Sequence, residues 1–238
     1  VRRRDFRRSF AQLRFSPRPR EVRRVRKYSF MGQVEYIENV AGHLESRQQS
    51  GSFNVEFNNS DRFNANIDRN YEFLEESFPV ADGVTIPIGG YGFTEGTVSY
   101  QFGSQRPISG NLSVTRGQFY GGDITTVSFG RGRVSITKRL SLEPSLSVSS
   151  VKLPDGDFVT RVVRSRVDYG FSPRMFTSAL LQYNHSDGTF SSNLRYRWEY
   201  RPGSEFFVVW TDEQDVRGRG FALRNRAFVV KATRLLRF

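Results

Sequence analysis

Read with a period of two, segment after segment of this chain divides into an apolar, ring-rich face and a polar face, the pattern of half-buried β-strands. The clearest stretch sets Leu194, Tyr196, Trp198 and Tyr200 against Asn193, Arg195, Arg197, Glu199 and Arg201. Phe63, Ala65, Ile67, Tyr71 and Phe73 stand against Asn64, Asn66, Asp68, Asn70 and Glu72 in the same way. Leu140, Leu142, Pro144, Leu146 and Val148 oppose a run of serines and Glu143, and Val163, Val167, Tyr169 and Phe171 oppose Arg164, Arg166 and Asp168. Shorter repeats begin at Phe53 and Val98. The phase slips around Arg116 and across Gly130, Arg131 and Gly132, where a glycine-associated bulge is expected.

The predicted strands run to about ten residues or more, whereas soluble strands average about 5 to 6. Tight turns are predicted at 58–61, 104–109, 138–140, 172–174 and 201–204, and longer or more polar loops at 38–43, 78–90, 120–123, 153–157, 186–189 and 211–220. Short turns alternating with longer loops are the asymmetry of an outer-membrane barrel. About thirteen strands are counted back from the C-terminus, and bacterial single-chain barrels have an even number. The expectation is an all-β, antiparallel transmembrane β-barrel of the outer-membrane type, one domain over 1–238, incomplete on its N-terminal side and so the C-terminal fragment of a larger barrel.

A soluble sandwich also alternates, so composition has to weigh between the two. Hydrophobic residues make up 37% of the 238 residues, yet aromatics reach 14%, with 22 Phe and 10 Tyr. A barrel that places rings in girdles and polar residues in its lumen has this combination. No stretch approaches the roughly 20 apolar residues of a membrane helix. The absence of cysteine removes disulfides, thiolate metal sites and cysteine nucleophiles. The net charge of +12 raises nucleic acid. Its densest run, from Arg2, Arg3 and Arg4 through Arg26 and Lys27, matches no nucleic-acid motif and is read as a solvated segment around a periplasmic turn.

The chain closes on Phe228, Val230, Ala232, Leu236 and Phe238 at period two, interrupted by Arg234. A final alternating strand with a terminal aromatic resembles the signal by which outer-membrane barrels are recognised for assembly, and implies an assembly signal at Phe228, Val230, Leu236 and Phe238. The run NLRYRWEYRPGSEFFVVWTDEQD from Asn193 to Asp215, with LRNRAFVVKATRLLRF at 223–238, resembles the end of a bacterial family that joins a module similar to family 9 carbohydrate-binding modules to a large β-barrel domain of unknown function. The resemblance implies an outer-membrane location, with lipids and the barrel-assembly machinery as partners and a glycan-binding module outside these 238 residues. It supplies no reaction.

Candidate chemistry follows from the faces. Tyr196, Trp198 and Tyr200 are expected to face lipid. Arg164, Arg166, Arg195, Arg197 and Arg201 are expected to point into a lumen, with Glu72, Glu143, Asp168 and Glu199 as possible partners. Such a lumen favours an anionic solute, or is filled by cross-strand Arg–carboxylate ladders that leave an anchor, and the interspersed carboxylates lean the expectation towards the anchor. His185, between Asn184 and Ser186 and near Asp187, fits no triad, because sequence neighbours on a strand point to opposite faces. Asp155, Asp157, Asp212, Glu213 and Asp215 lack the spacing of a calcium loop. The expected function is an outer-membrane barrel serving as envelope anchor or solute conduit, with no catalytic residue, metal or cofactor. The alternatives are a soluble all-β module that binds an anionic polymer and, third, an outer-membrane hydrolase.

Overall fold

The computed structural model describes residues 5–81, 83–154, 156–218 and 220–236, with position 131 as backbone only. Arg2, Arg3, Arg4, Asp155 and Phe238 lie outside them. The described residues form fifteen strands and no helix. They are β1 (Phe6–Phe15), β2 (Val25–Asn39), β3 (Leu44–Phe57), β4 (Arg62–Leu74), β5 (Phe78–Ala81), β6 (Val84–Ile86), β7 (Gly89–Phe102) and β8 (Ile108–Phe119). There follow β9 (Gly122–Ser135), β10 (Leu140–Leu153), β11 (Gly156–Ser172), β12 (Met175–Asn184), β13 (Thr189–Arg201), β14 (Ser204–Asp215) and β15 (Ala222–Thr233).

Thirteen of them make one antiparallel sheet in chain order, and β5 pairs only with β6. The chain divides into two compact units, Val1–Gly103 with Asn111–Ser128 and Ser149–Val159, and Ser104–Gly110 with Phe129–Val148 and Thr160–Phe238.

The thirteen strands of the main sheet match the count of about thirteen from the sequence, which missed the separate β5–β6 pair, and the contrast of short turns with long loops is weaker than expected. Only Tyr120 and Gly121 separate β8 from β9, at φ of 43° and 85°, and positive φ at both central residues makes a hairpin turn that matches strand twist. The expected loop 78–90 contains the β5–β6 hairpin, and β14 runs on to Asp215 through the expected loop 211–220. The last strand ends at Thr233, so Leu236 lies beyond it. β8 and β9 run unbroken through the two places where the phase slips. The ring of Phe129 lies over Gly110 and Gly132, where an added Cβ would come within 2.5 and 2.7 Å of it.

In the first unit, Val84 and Ile86 of the hairpin pack with Val151 and Leu153 into a buried cluster bordered by Tyr91, Phe119, Tyr120 and Phe158. The turn between β3 and β4 has a different anchor. Asp61 is 1% exposed. Its carboxylate accepts hydrogen bonds from the Tyr100 hydroxyl at 2.8 Å, the Gly103 amide at 2.7 Å and the Asn59 side chain at 2.9 Å. In the second unit Gly203 turns at φ 74° with the Leu235 side chain 2.7 Å from where a Cβ would sit, so conformation and space both require glycine.

Candidate functional site

Directly paired residues of a ladder share a face, so register alone sorts the side chains. In the first unit it lines up Phe15, Phe30, Phe53, Ala65 and Val98 across β1, β2, β3, β4 and β7, with Leu13, Gly32, Gly51, Ile67 and Gly96 as the next row on that face. Phe30 lies 6.4 Å from Phe15 and 4.9 Å from Phe53, ring centre to ring centre. Yet Leu13 is 81% exposed, Phe15 67% and Ile67 58%. Nothing among the described residues of this unit covers this apolar face.

The opposite face of that unit carries Ser29, Asn54, Asn64 and Ser99 in one row and Met31, Ser52, Asn66 and Thr97 in the next. It is knitted by its own hydrogen bonds. Asn64 donates to Asn54 and Asn66 to Asp68. Hydroxyl pairs join Thr97 to Thr115 at 2.8 Å, Ser113 to Ser128 at 2.7 Å and Thr126 to Ser149 at 2.8 Å. At one strand end the Tyr120 hydroxyl donates to Glu72 at 2.8 Å. Burial first, then this bond and the carboxylate charge, push the phenol up to about 12.

The second unit repeats the division. Ala179, Leu194, Trp210 and Phe228 form a row, as do Thr177, Tyr196, Val208 and Val230, and Met175, Trp198, Phe206 and Ala232. The Trp198 and Tyr200 rings meet edge to face at 6.0 Å. Phe228 and Val230 therefore stand on the face of Tyr196 and Trp198. Arg195 and Arg197 stand on the other, beside Ser178 and Phe176. Arg164 and Arg166, opposite Gln182 and Leu180, share the arginine-bearing face. Arg201 lies after a register shift that follows Glu199, opposite Ser204. The arginine-bearing face is not uniformly polar. Phe207, Val209 and Val229 stand on it too, because β14 is apolar on both sides.

The expected partnerships are rearranged. Arg197 pairs with Glu205, which the sequence pattern did not single out, and its guanidinium lies 5.8 and 5.9 Å from the ring centres of Phe176 and Phe207. Among the four carboxylates expected to serve the arginines, Glu199 accepts from the Gly203 amide at 3.0 Å and Glu72 accepts from Tyr120. Among the described residues no ion pair joins Arg164, Arg166 or Arg195 to Glu143 or Asp168. The acids expected in the loop before β15 belong to β14 instead. Asp212 pairs with Arg226 at 2.8 Å, and Asp215 with Arg224 at 2.6 Å. The His185 ring meets the Tyr183 hydroxyl at 3.1 Å, and Asp187 is held by Asn184. Among the described residues no serine hydroxyl is hydrogen-bonded to that imidazole, so the nucleophile–base contact of a triad is not made there.

Chemically, the arrangement offers an apolar surface that can be solvated by hydrocarbon, and backed against it a surface of amides, hydroxyls and guanidinium groups that can be solvated by water or by anions. No protein-family model, curated protein or solved structure matches this chain.

Proposed function

We infer that the chain is part of the wall of a bacterial outer-membrane β-barrel, with the rows of Ile67 and Val208 against lipid and the rows of Asp68 and Arg195 toward an aqueous lumen. The observation that carries this reading is the exposed apolar face of the first unit, whose opposite face is knitted by its own hydrogen bonds. In water such a face is an aggregation liability. In hydrocarbon it is the outer surface that a β-barrel needs. The long strands and the C-terminal resemblance support the same reading, with insertion through the strand bearing Phe228 and Val230 by the barrel-assembly machinery.

Within that reading, a conduit is favoured over a filled anchor. Ladders that fill a lumen need arginine matched to carboxylate, and Arg164, Arg166 and Arg195 lack such partners among the described residues. The solute would be anionic. Expression with a secretory leader in a Gram-negative host, followed by envelope fractionation, tests the location. The protein is expected in the outer-membrane fraction, resistant to carbonate wash and migrating differently on gels before and after boiling. Recovery in the aqueous fraction without detergent would instead favour the soluble module that binds anionic polymers.

A further inference from the structure

In the second unit, the side chains of Arg133, Arg164 and Arg166 line one hollow of about 430 Å³ together with Glu143 and Leu180. Leu180 is paired with Arg166 in the β11–β12 ladder, which sets the hollow on the arginine-bearing face. Arg133 also borders a second hollow of about 600 Å³, where Lys138, Arg139 and Asp168 join it. Five cations thus meet two carboxylates along a run of strands and one turn. Among the described residues none of the seven is held in an ion pair.

Guanidinium groups that only filled space would be expected to find carboxylates, as Arg197 finds Glu205 and Arg226 finds Asp212 in this same unit. Glu143 lies in the smaller hollow with three arginines and bonds to none of them. The planar forks of Arg164 and Arg166, two residues apart on one strand and on one face, suit an oxyanion that offers several acceptor oxygens. We propose that this hollow is a binding station for a small polyanion of the phosphate or polycarboxylate class, held by Arg133, Arg164 and Arg166, with Lys138 and Arg139 attracting it from the neighbouring hollow. Glu143 opposes the ligand's charge and keeps the affinity low enough for release, as passage through a conduit requires.

The placement of this station in a lumen rests on the membrane reading, but binding itself does not. The probe is pyrophosphate, titrated by calorimetry into the full chain in detergent micelles, with ionic strength fixed by sodium chloride so that diffuse charge is screened alike throughout. Far-UV circular dichroism establishes the β-fold of each variant. Saturable binding is expected, with Kd raised about tenfold by Arg164→Gln and again by Arg166→Gln. Lys231→Gln, paired with Phe207 on the same face but outside both hollows, should leave Kd within about twofold. Glu143→Gln should tighten binding by about threefold or more, a gain that no loss of folding can imitate. Absence of saturation, an equal loss in Lys231→Gln, or an unchanged Kd in Glu143→Gln would overturn the station. A protein that fractionates with the outer membrane and fails this titration loses only the station, and one that binds pyrophosphate but stays aqueous loses only the membrane reading.

Discussion

Replacing Ile67 by arginine separates a membrane wall from a soluble sheet. Ile67 stands at the middle of β4, in the row of Leu13, Gly32, Gly51 and Gly96, with 58% of its surface exposed. Full burial of such a side chain is worth about 1.5–3 kcal/mol, so the two-fifths hidden here contribute about 1 kcal/mol. An arginine stem lying along the same surface recovers part of that. In water the substitution should therefore cost about 1 kcal/mol or less. If the row faces the hydrocarbon midplane, the guanidinium adds about 2–4 kcal/mol, for a total of about 2–5 kcal/mol. The assay is a urea titration of protein folded into liposomes, with Ser50→Arg as its companion. Ser50 pairs with Asp68 on the opposite face, and its replacement should change stability by no more than about 1 kcal/mol. A cost below about 1 kcal/mol for Ile67→Arg in liposomes, or equal costs for the two variants, refutes the assignment of faces.

Two further outcomes follow from side chains at the strand ends. Asp61→Ala removes the buried acceptor of the Tyr100 hydroxyl and the Gly103 amide and should cost about 2–4 kcal/mol, read as a lower urea midpoint, whereas Asp61→Asn, which keeps an acceptor oxygen, should lose less. The raised Tyr120 phenol stabilises the fold fully below pH 10, the ordinary tyrosine value, and that contribution is lost as pH rises through about 12. The thermal midpoint of the native protein should fall more steeply between pH 10 and 12 than that of Tyr120→Phe, and parallel curves would show that the phenol's shift does not reach stability.

Where strands keep two distinct faces, their placement was legible. The alternation of Tyr196 and Trp198 with Arg195 and Arg197 fixes which side chains share a surface, because a strand has only two. Partners across the sheet were not legible in the same way. Arg197 meets Glu205 through a register set by the irregularity between Glu199 and Arg201, and a one-residue slip there would reverse the faces. The β5–β6 hairpin was hidden because its strands are short and Pro79 and Pro87 resemble loop residues. Asp212 and Asp215 looked like loop acids for want of their arginines, which lie on β15. Asp61 gave no signal beyond a turn-forming residue, since its importance comes from Tyr100 and Gly103, about forty positions along the chain.

The sheet's order has a consequence for how such a chain can grow. Each strand of the thirteen bonds only to its nearest neighbours along the chain within that sheet, and the one excursion, β5–β6, closes on itself before β7 resumes beside β4. Among the described residues no hydrogen-bonded ladder therefore depends on a distant segment having been inherited intact. Duplication or loss of a two-strand unit would change the width of the sheet while leaving every other register and the sidedness of every other strand as before. Lineages built on this plan can vary the span of the wall in steps of one hairpin. A single-strand change would send the rest of the chain the wrong way along the sheet, so gene rearrangements that survive should preserve pairs.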